Sequence, residues 1–112
     1  MTLAELKTAL ASIDGFEDKV AYRAFPVGSA PGLPFICYMD VSTDNFIADN
    51  EVYAVIYEVD VELYTQYKDP TSEELIEECL KGLGIVWNKS DEYIDSESMY
   101  EVVYSFSIQQ VY

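Results

Sequence analysis

The alternation of apolar and polar positions divides the chain into short periodic segments, and each period names an element. In the opening "TLAELKTALASI", Leu3, Leu6, Leu10 and Ile13 recur at helical spacing, and Thr2 and Glu5 are placed to form a capping box. A first helix is expected there, ending near Asp14 and Gly15. "KVAYRAF", residues 19–25, alternates as a strand, and Pro26 stops it. The loop "PVGSAPGLP", residues 26–34, is rich in proline and glycine, whose fixed φ angles and missing donors suit neither helix nor central strand. "FICYMDV", residues 35–41, then reads as a buried strand, and "STDN" as a turn.

The clearest period of two follows in "EVYAVIYEVDVELYTQ". Tyr53, Val55, Tyr57, Val59, Val61 and Leu63 alternate with the charged Glu58, Asp60 and Glu62, the signature of a half-buried strand. "DPTSEELIEECLKGLG" predicts a second helix. Thr71 and Glu74 are its expected capping box, and Leu75, Ile76, Cys79, Leu80 and Leu83 its apolar stripe. "IVW" predicts a short strand and "NKSDEYIDSE" a polar link. In the closing "SMYEVVYSFSIQQVY", Tyr100, Val102, Tyr104, Phe106 and Ile108 share one face, while Met99 and Val103 belong to the other. The order is α-β-β-β-α-β-β. It predicts one α+β domain over 1–112, a mixed or antiparallel sheet of about five strands with two helices packed on it.

Length complicates that picture. An unbroken strand of about 15 residues, 52–66, would run about 50 Å at ~3.3 Å per residue. A compact domain of this size has a radius of gyration near ~13 Å, hence a diameter of roughly 34 Å. Either the strand bends at a bulge, or it projects with the C-terminal strand as a ribbon that another subunit covers. Ala54 and Ile56, apolar on the otherwise polar face, favour projection, as do ten tyrosines, a residue enriched at interfaces. Tyrosine also suits a pleated surface, so both readings stay open.

Charge narrows the partners. Twenty-one acids against six bases give a net charge of -15, which opposes approach to phosphate backbones and anionic lipid. Neither sequence-specific nucleic-acid binding nor membrane association is expected. The N-terminus lacks the features of an export signal, and no apolar run approaches the ~20 residues that span a bilayer. Cys37 and Cys79 read as small core hydrophobes in a reducing compartment.

The candidate chemistry is sparse. Without histidine or a CxxC spacing, metal catalysis on nitrogen or sulfur ligands is not expected. Glu58, Asp60 and Glu62 repeat every ~6.6–7 Å along one strand face and would need loop oxygens to hold a hard cation; a solvated face is the simpler reading. Asp44, Asp49 and Glu51 lack the spacing of a calcium loop, and Asp49 and Asn50 suit a turn. Ser29 and Ser90 have no base, and "GSAPG" lacks the lysine and helix of a phosphate loop. No enzyme and no cofactor are expected.

"APGLPFICYMD", "NFIADNEVYAVIYEVDVELYT" and "DEYIDSESMYEVVYSFSI" together resemble the tail-terminator or tail-completion proteins of the head-to-tail region of long-tailed phages. The likeness runs in order through residues 30–112. Its matching elements are an N-terminal helix, the "P-x-x-P-aromatic" strand entry, the "aDN-x-x-Y" hairpin, the "x-E-L-Y-T" strand end, a helix, and a terminal strand after a serine-glutamate pair. The resemblance implies a non-catalytic α+β subunit of a ring, usually a hexamer, in the virion after assembly in the host cytoplasm. Its implied partners are further copies of itself, the tail-tube protein and the head connector protein. Contact surfaces are expected at the proline-rich loop, the 44–51 hairpin and the C-terminal strand, with Pro31, Pro34, Phe46, Ile47, Tyr53, Ile56, Tyr104 and Phe106 as candidates. The acidic surface would then line a lumen that DNA traverses. Other head-tail parts, such as a head-closure or minor capsid protein, are the near alternative. An acidic inhibitor that mimics nucleic acid is the distant one.

Overall fold

A computed structural model describes the backbone of residues 1–26, 28–48 and 51–111, and the side chains of the same residues except 44–48, 51–54, 110 and 111. Helix α1 is Leu3–Ala11, and the expected capping box is formed: the Thr2 hydroxyl accepts from the Glu5 N–H, and the Glu5 carboxylate accepts from the Thr2 N–H. Two donors that a helix start leaves free are thereby satisfied. Leu6, Leu10 and Ile13 are buried, as their spacing requires. Strand β1 is only Val20–Tyr22, shorter than the expected 19–25. Arg23 takes φ 64°, a left-handed backbone that ends the pairing before Pro26 is reached.

Strands β2, Phe35–Ala48, and β3, Glu51–Thr65, form a long antiparallel pair. "STDN" is therefore strand and not turn. Its backbone is held by the ladder to Tyr57 and its neighbours, which overrides the local turn preference of Asp44 and Asn45. Pairing continues to Ala48 opposite Glu51, so the turn assigned to Asp49 and Asn50 lies outside the described residues.

Helix α2 is Pro70–Gly82 and starts earlier than the sequence suggested. Its cap is Asp69, not Thr71: the Asp69 carboxylate accepts from the Ser72 N–H at 3.2 Å and from the Ser72 hydroxyl at 2.8 Å. Pro70 sits at the first turn, where its missing N–H removes no helix bond. The buried stripe is Ser72, Glu73, Ile76 and Leu80; Leu75 lies off it and is 37% exposed.

Residues 85–87 are not a strand. Ile85 and Trp87 pack partly buried against the core, while Val86 is 90% exposed. The segment expected as a polar link instead contains strand β4, Asn88–Ile94. A single 3₁₀ turn, Asp95–Glu97, leads to strand β5, Met99–Val111.

The five strands form one mixed sheet in the order β1-β2-β3-β5-β4, with β1 parallel to β2 and the other pairs antiparallel. Both helices lie on one face, where Leu6, Leu10, Ile76 and Leu80 meet Ile36, Tyr38, Val59, Val61, Leu63, Val102, Tyr104 and Phe106. This is the α+β architecture, in the order read from the sequence.

The length problem resolves as bend and extension together. The β2–β3 register shifts between Asp40 and Ser42 and again between Phe46 and Ile47. The molecule is also elongated, with extents of 50 × 29 × 24 Å and a radius of gyration of 15.0 Å. Strand β1 pairs only with Ile36–Tyr38, and β4 only with Met99–Ser105. One half of the sheet is thus five-stranded, and the other is a three-stranded ribbon of β2, β3 and β5.

Candidate functional site

Two surfaces carry chemistry. The first is the sheet face turned away from the helices, where the period of two places Glu58, Asp60 and Glu62 of β3 beside Ser107, Ser105 and Val103 of β5. Glu101 and Glu92, cross-strand partners, extend the same face toward β4. The Ser105 hydroxyl donates to Asp60 at 2.7 Å, Ser107 to Glu58 at 2.9 Å, and the Tyr64 hydroxyl to Glu62 at 3.0 Å. Burial pushes the Glu62 carboxyl above its ordinary range; the Tyr64 hydrogen bond opposes this, and the charges of Glu101 and Asp60 add to it. Among the described residues no ion pair forms on this face, since every pair involves Arg23, Lys68 or Lys89 on other surfaces. It is an acidic face with hydroxyl donors and no counter-charge.

Those carboxylates are spread along and across strands. No group of three or more His, Cys, Asp or Glu among the described residues is arranged to hold a metal ion. Cys37, buried in β2 next to Glu62, has its thiol pushed up to about 11, chiefly by burial. Cys79 is raised as well, also by burial, and its Sγ lies 3.6 Å from the Ala9 carbonyl. Both cysteines are free thiols, and neither has the electropositive, exposed setting of a reactive one.

The second surface is the seam between α2 and β4. Glu73 is 3% exposed, and its carboxylate is met by Lys68 at 3.1 Å and Lys89 at 2.7 Å. Lys68 also reaches Asp91 at 2.9 Å, and Lys89 reaches Glu77 at 2.7 Å. The Tyr104 hydroxyl donates to Glu77 at 2.9 Å. The cluster is a structural clamp: it ties the helix to the edge strand and sets two ammonium groups against a carboxylate that burial would otherwise penalise, although Oε2 of Glu73 has no hydrogen-bond partner among the described residues. Sequence reading missed Glu73, because a glutamate inside "SEELIEE" looks like one of several solvated acids. The available signal was its spacing, three before Ile76 and seven before Leu80.

The expected contact residues fall into three groups. Pro31 and Pro34 are half-buried in the loop that leads into β2, where Phe35 stacks on Tyr64 and meets Phe25 edge-on. Ile56 is half-buried on the acidic face. The side chains of Phe46, Ile47 and Tyr53 lie outside the described residues, although their strands are in place. Tyr104 and Phe106 require correction, because they are 0% and 6% exposed and belong to the core under the helices. Their alternation fixed the strand but pointed them inward, so a contact through β5 has to use its edge or its other face.

No helix among the described residues is long and apolar enough to cross a membrane. No protein-family model matches the chain, and no curated protein is similar to it in sequence.

Proposed function

We propose that the protein is a non-catalytic virion assembly part: a subunit of a ring, hexameric by the resemblance, that terminates the tail tube of a long-tailed phage and joins it to the head connector. The observation that carries this reading is the ribbon. Strands β2, β3 and β5 run on past the helix-covered core in a molecule 50 Å long. Strands that outrun their own helices gain stability when a neighbour covers them. A ring offers that cover at every position, because each copy presents the same two sides to its neighbours. Of the sequence elements that resemble tail-completion proteins, the described flanks of the "aDN-x-x-Y" hairpin and the end of the terminal strand lie on this ribbon, while "x-E-L-Y-T" and the helix lie in the five-stranded half. The net charge of -15 suits a lumen through which DNA slides without lodging.

The counter-charge-free face also favours a second reading, an acidic mimic of nucleic acid that occupies a basic groove on another protein. Such a mimic would act as a monomer or dimer, and its affinity would fall steeply with salt.

The separating experiment uses tail tubes polymerised from the tube protein encoded nearest to this chain in its genome. Gold-labelled chain is expected at tube ends and nowhere along their length. Failure to bind, or uniform decoration of the sides, would overturn the proposal.

A further inference from the structure

We infer that the edge of β5 that no strand covers, residues 106–111, is a strand-docking site for a second copy, which lays the edge of its β2, residues 42–48, alongside in parallel. This rests on the ring reading and supplies its seam.

Both edges are open at the same level of the sheet. The last β4 partner of β5 is Asn88 opposite Ser105, so the outer side of β5 beyond Ser105 has no strand partner among the described residues; the Met1 ammonium, which donates to the Gln109 carbonyl at 3.0 Å, has to give way to an incoming strand. On the other side of the ribbon, β1 stops at Tyr38. Arg23 finishes that edge: its backbone N–H donates to the Tyr38 carbonyl at 2.8 Å and its guanidinium to the Asp40 carbonyl at 2.9 Å. Past Asp40 the outer side of β2 has no strand partner among the described residues. Ser42 pairs with Glu58 and Glu58 with Ser107, so the two open stretches face outward from one level of the molecule.

Direction and charge select the partner. Strands β2 and β5 are each antiparallel to β3, hence parallel to each other. Copies repeated about an axis along the strands therefore bring β5 of one against β2 of the next, and every such contact regenerates the same two open edges. Exposed edges are usually blocked by charge, and β4 follows that rule with Lys89, Asp91 and Glu92. The edge of β5 does not. Its ten residues from Val102 to Val111 include no Asp, Glu, Lys or Arg, in a chain whose net charge is -15. Residues 41–48 of β2 carry only Asp44. These are the edges along which two acidic copies approach with least repulsion. An open groove of about 470 Å³ runs beside the β5 edge between Leu83–Val86 and Ser105–Gln109, with Met1, Glu58 and Asn88 also in its lining and Val86 standing 90% exposed at its side. A strand placed ~4.8 Å from β5 would lie in it.

Ser42 and Gln109 are exposed and share the acidic face, so cysteines placed there report the contact. A chain carrying both Ser42→Cys and Gln109→Cys is treated with a short bismaleimide, once at its highest soluble concentration and once bound to tube ends. A covalent ladder beyond the dimer is expected, with dimers only from a mixture of the two single variants. Ser42→Cys with Ser107→Cys repeats the test at the neighbouring register, and the native chain, with Cys37 and Cys79 alone, is the blank. A single variant that cross-links to itself would show two-fold pairing and overturn the inference. Absence of any cross-link in both settings would overturn it too. Tube-end binding is scored on the same samples, so loss of this seam is distinguishable from loss of the proposed function.

Discussion

Replacing Lys89 with methionine tests what holds β4 to the helix. Methionine keeps the apolar stem that lies over the Tyr104 ring, where the Lys89 ammonium is 5.7 Å from the centroid, and deletes only the charge. The change leaves the buried Glu73 carboxylate with Lys68 alone, and Glu77 with the Tyr104 hydroxyl. Breaking a fully buried pair from one side costs ~3–5 kcal/mol, whereas exposed pairs are worth ~0–1 kcal/mol. The Lys89 side chain is 36% exposed and the Glu73 side chain 5%, which places the loss between the two, at about 1–2 kcal/mol. In urea this is a midpoint shift of roughly 1 M at a slope of ~1–3 kcal/mol per M. Glu73→Gln removes the orphaned charge, so the double variant should regain about 1 kcal/mol relative to additivity.

Acid gives a second reading of the same contact. Burial opposes ionisation of Glu77, but hydrogen bonds from Lys89 and Tyr104, with the lysine charges, outweigh it and hold the carboxyl below its ordinary range. A depressed carboxylate contributes stability that is present above the unfolded value near ~4.3 and lost as pH falls through the folded one. The gap between native chain and Lys89→Met should therefore hold steady from neutral pH to about 5 and close below that. A shift under ~0.3 kcal/mol, strict additivity with Glu73→Gln, or a gap that widens in acid would refute the clamp.

At the start of α2, Asp69→Ala should cost about 1 kcal/mol by urea unfolding, while Thr71→Ala changes little; the reverse ranking would restore Thr71 as the cap. On the acidic face, Glu62→Gln should stabilise the chain at neutral pH by up to about 1 kcal/mol, since the carboxylate is penalised by burial first and by the nearby charges of Glu101 and Asp60 second. Because the Glu62 pKa is raised, its penalty grows as pH rises through the folded value, so the gain should vanish in acid and shrink in high salt. A destabilised Glu62→Gln at low salt would mean that its hydrogen bond with Tyr64 outweighs the repulsion.

Wherever one face of an element is buried and the other wet, its period was legible. Leu6 and Leu10 of α1, Val59, Val61 and Leu63 of β3 and Val102, Tyr104, Phe106 and Ile108 of β5 lie on the faces read from the sequence and form the core. Strand β4 was not legible, because its residues, apart from the half-buried Ile94, are exposed and carry no apolar alternation; it is held by ladder bonds to β5 and by Lys89. The strand character of "STDN" was hidden for a related reason. Local turn preference is visible in a sequence, while the ladder that overrides it belongs to a partner strand far along the chain. Tyr104 and Phe106 show the opposite limit: an aromatic on a strand announces burial, but not whether its own helices or a neighbouring chain supply the cover.

The placement of charge ties these features together. If the proposed seam forms, an acidic chain must keep its carboxylates away from it. The acids of the open face project from it, Glu73 and Glu77 of α2 and Asp91 of β4 are paired with Lys68 and Lys89, and the uncovered side of β5 has none. Lys68 and Lys89 serve the internal clamp, and no ion pair forms on the open face among the described residues. Docking between copies then depends on backbone pairing and apolar contact, with charge acting mainly as a brake that added salt releases. Charge distributed at random over the strands would have blocked the β5 edge as thoroughly as Lys89, Asp91 and Glu92 block β4. In the proposed seam, the uncharged stretch from Val102 to Val111 is therefore the feature that permits docking.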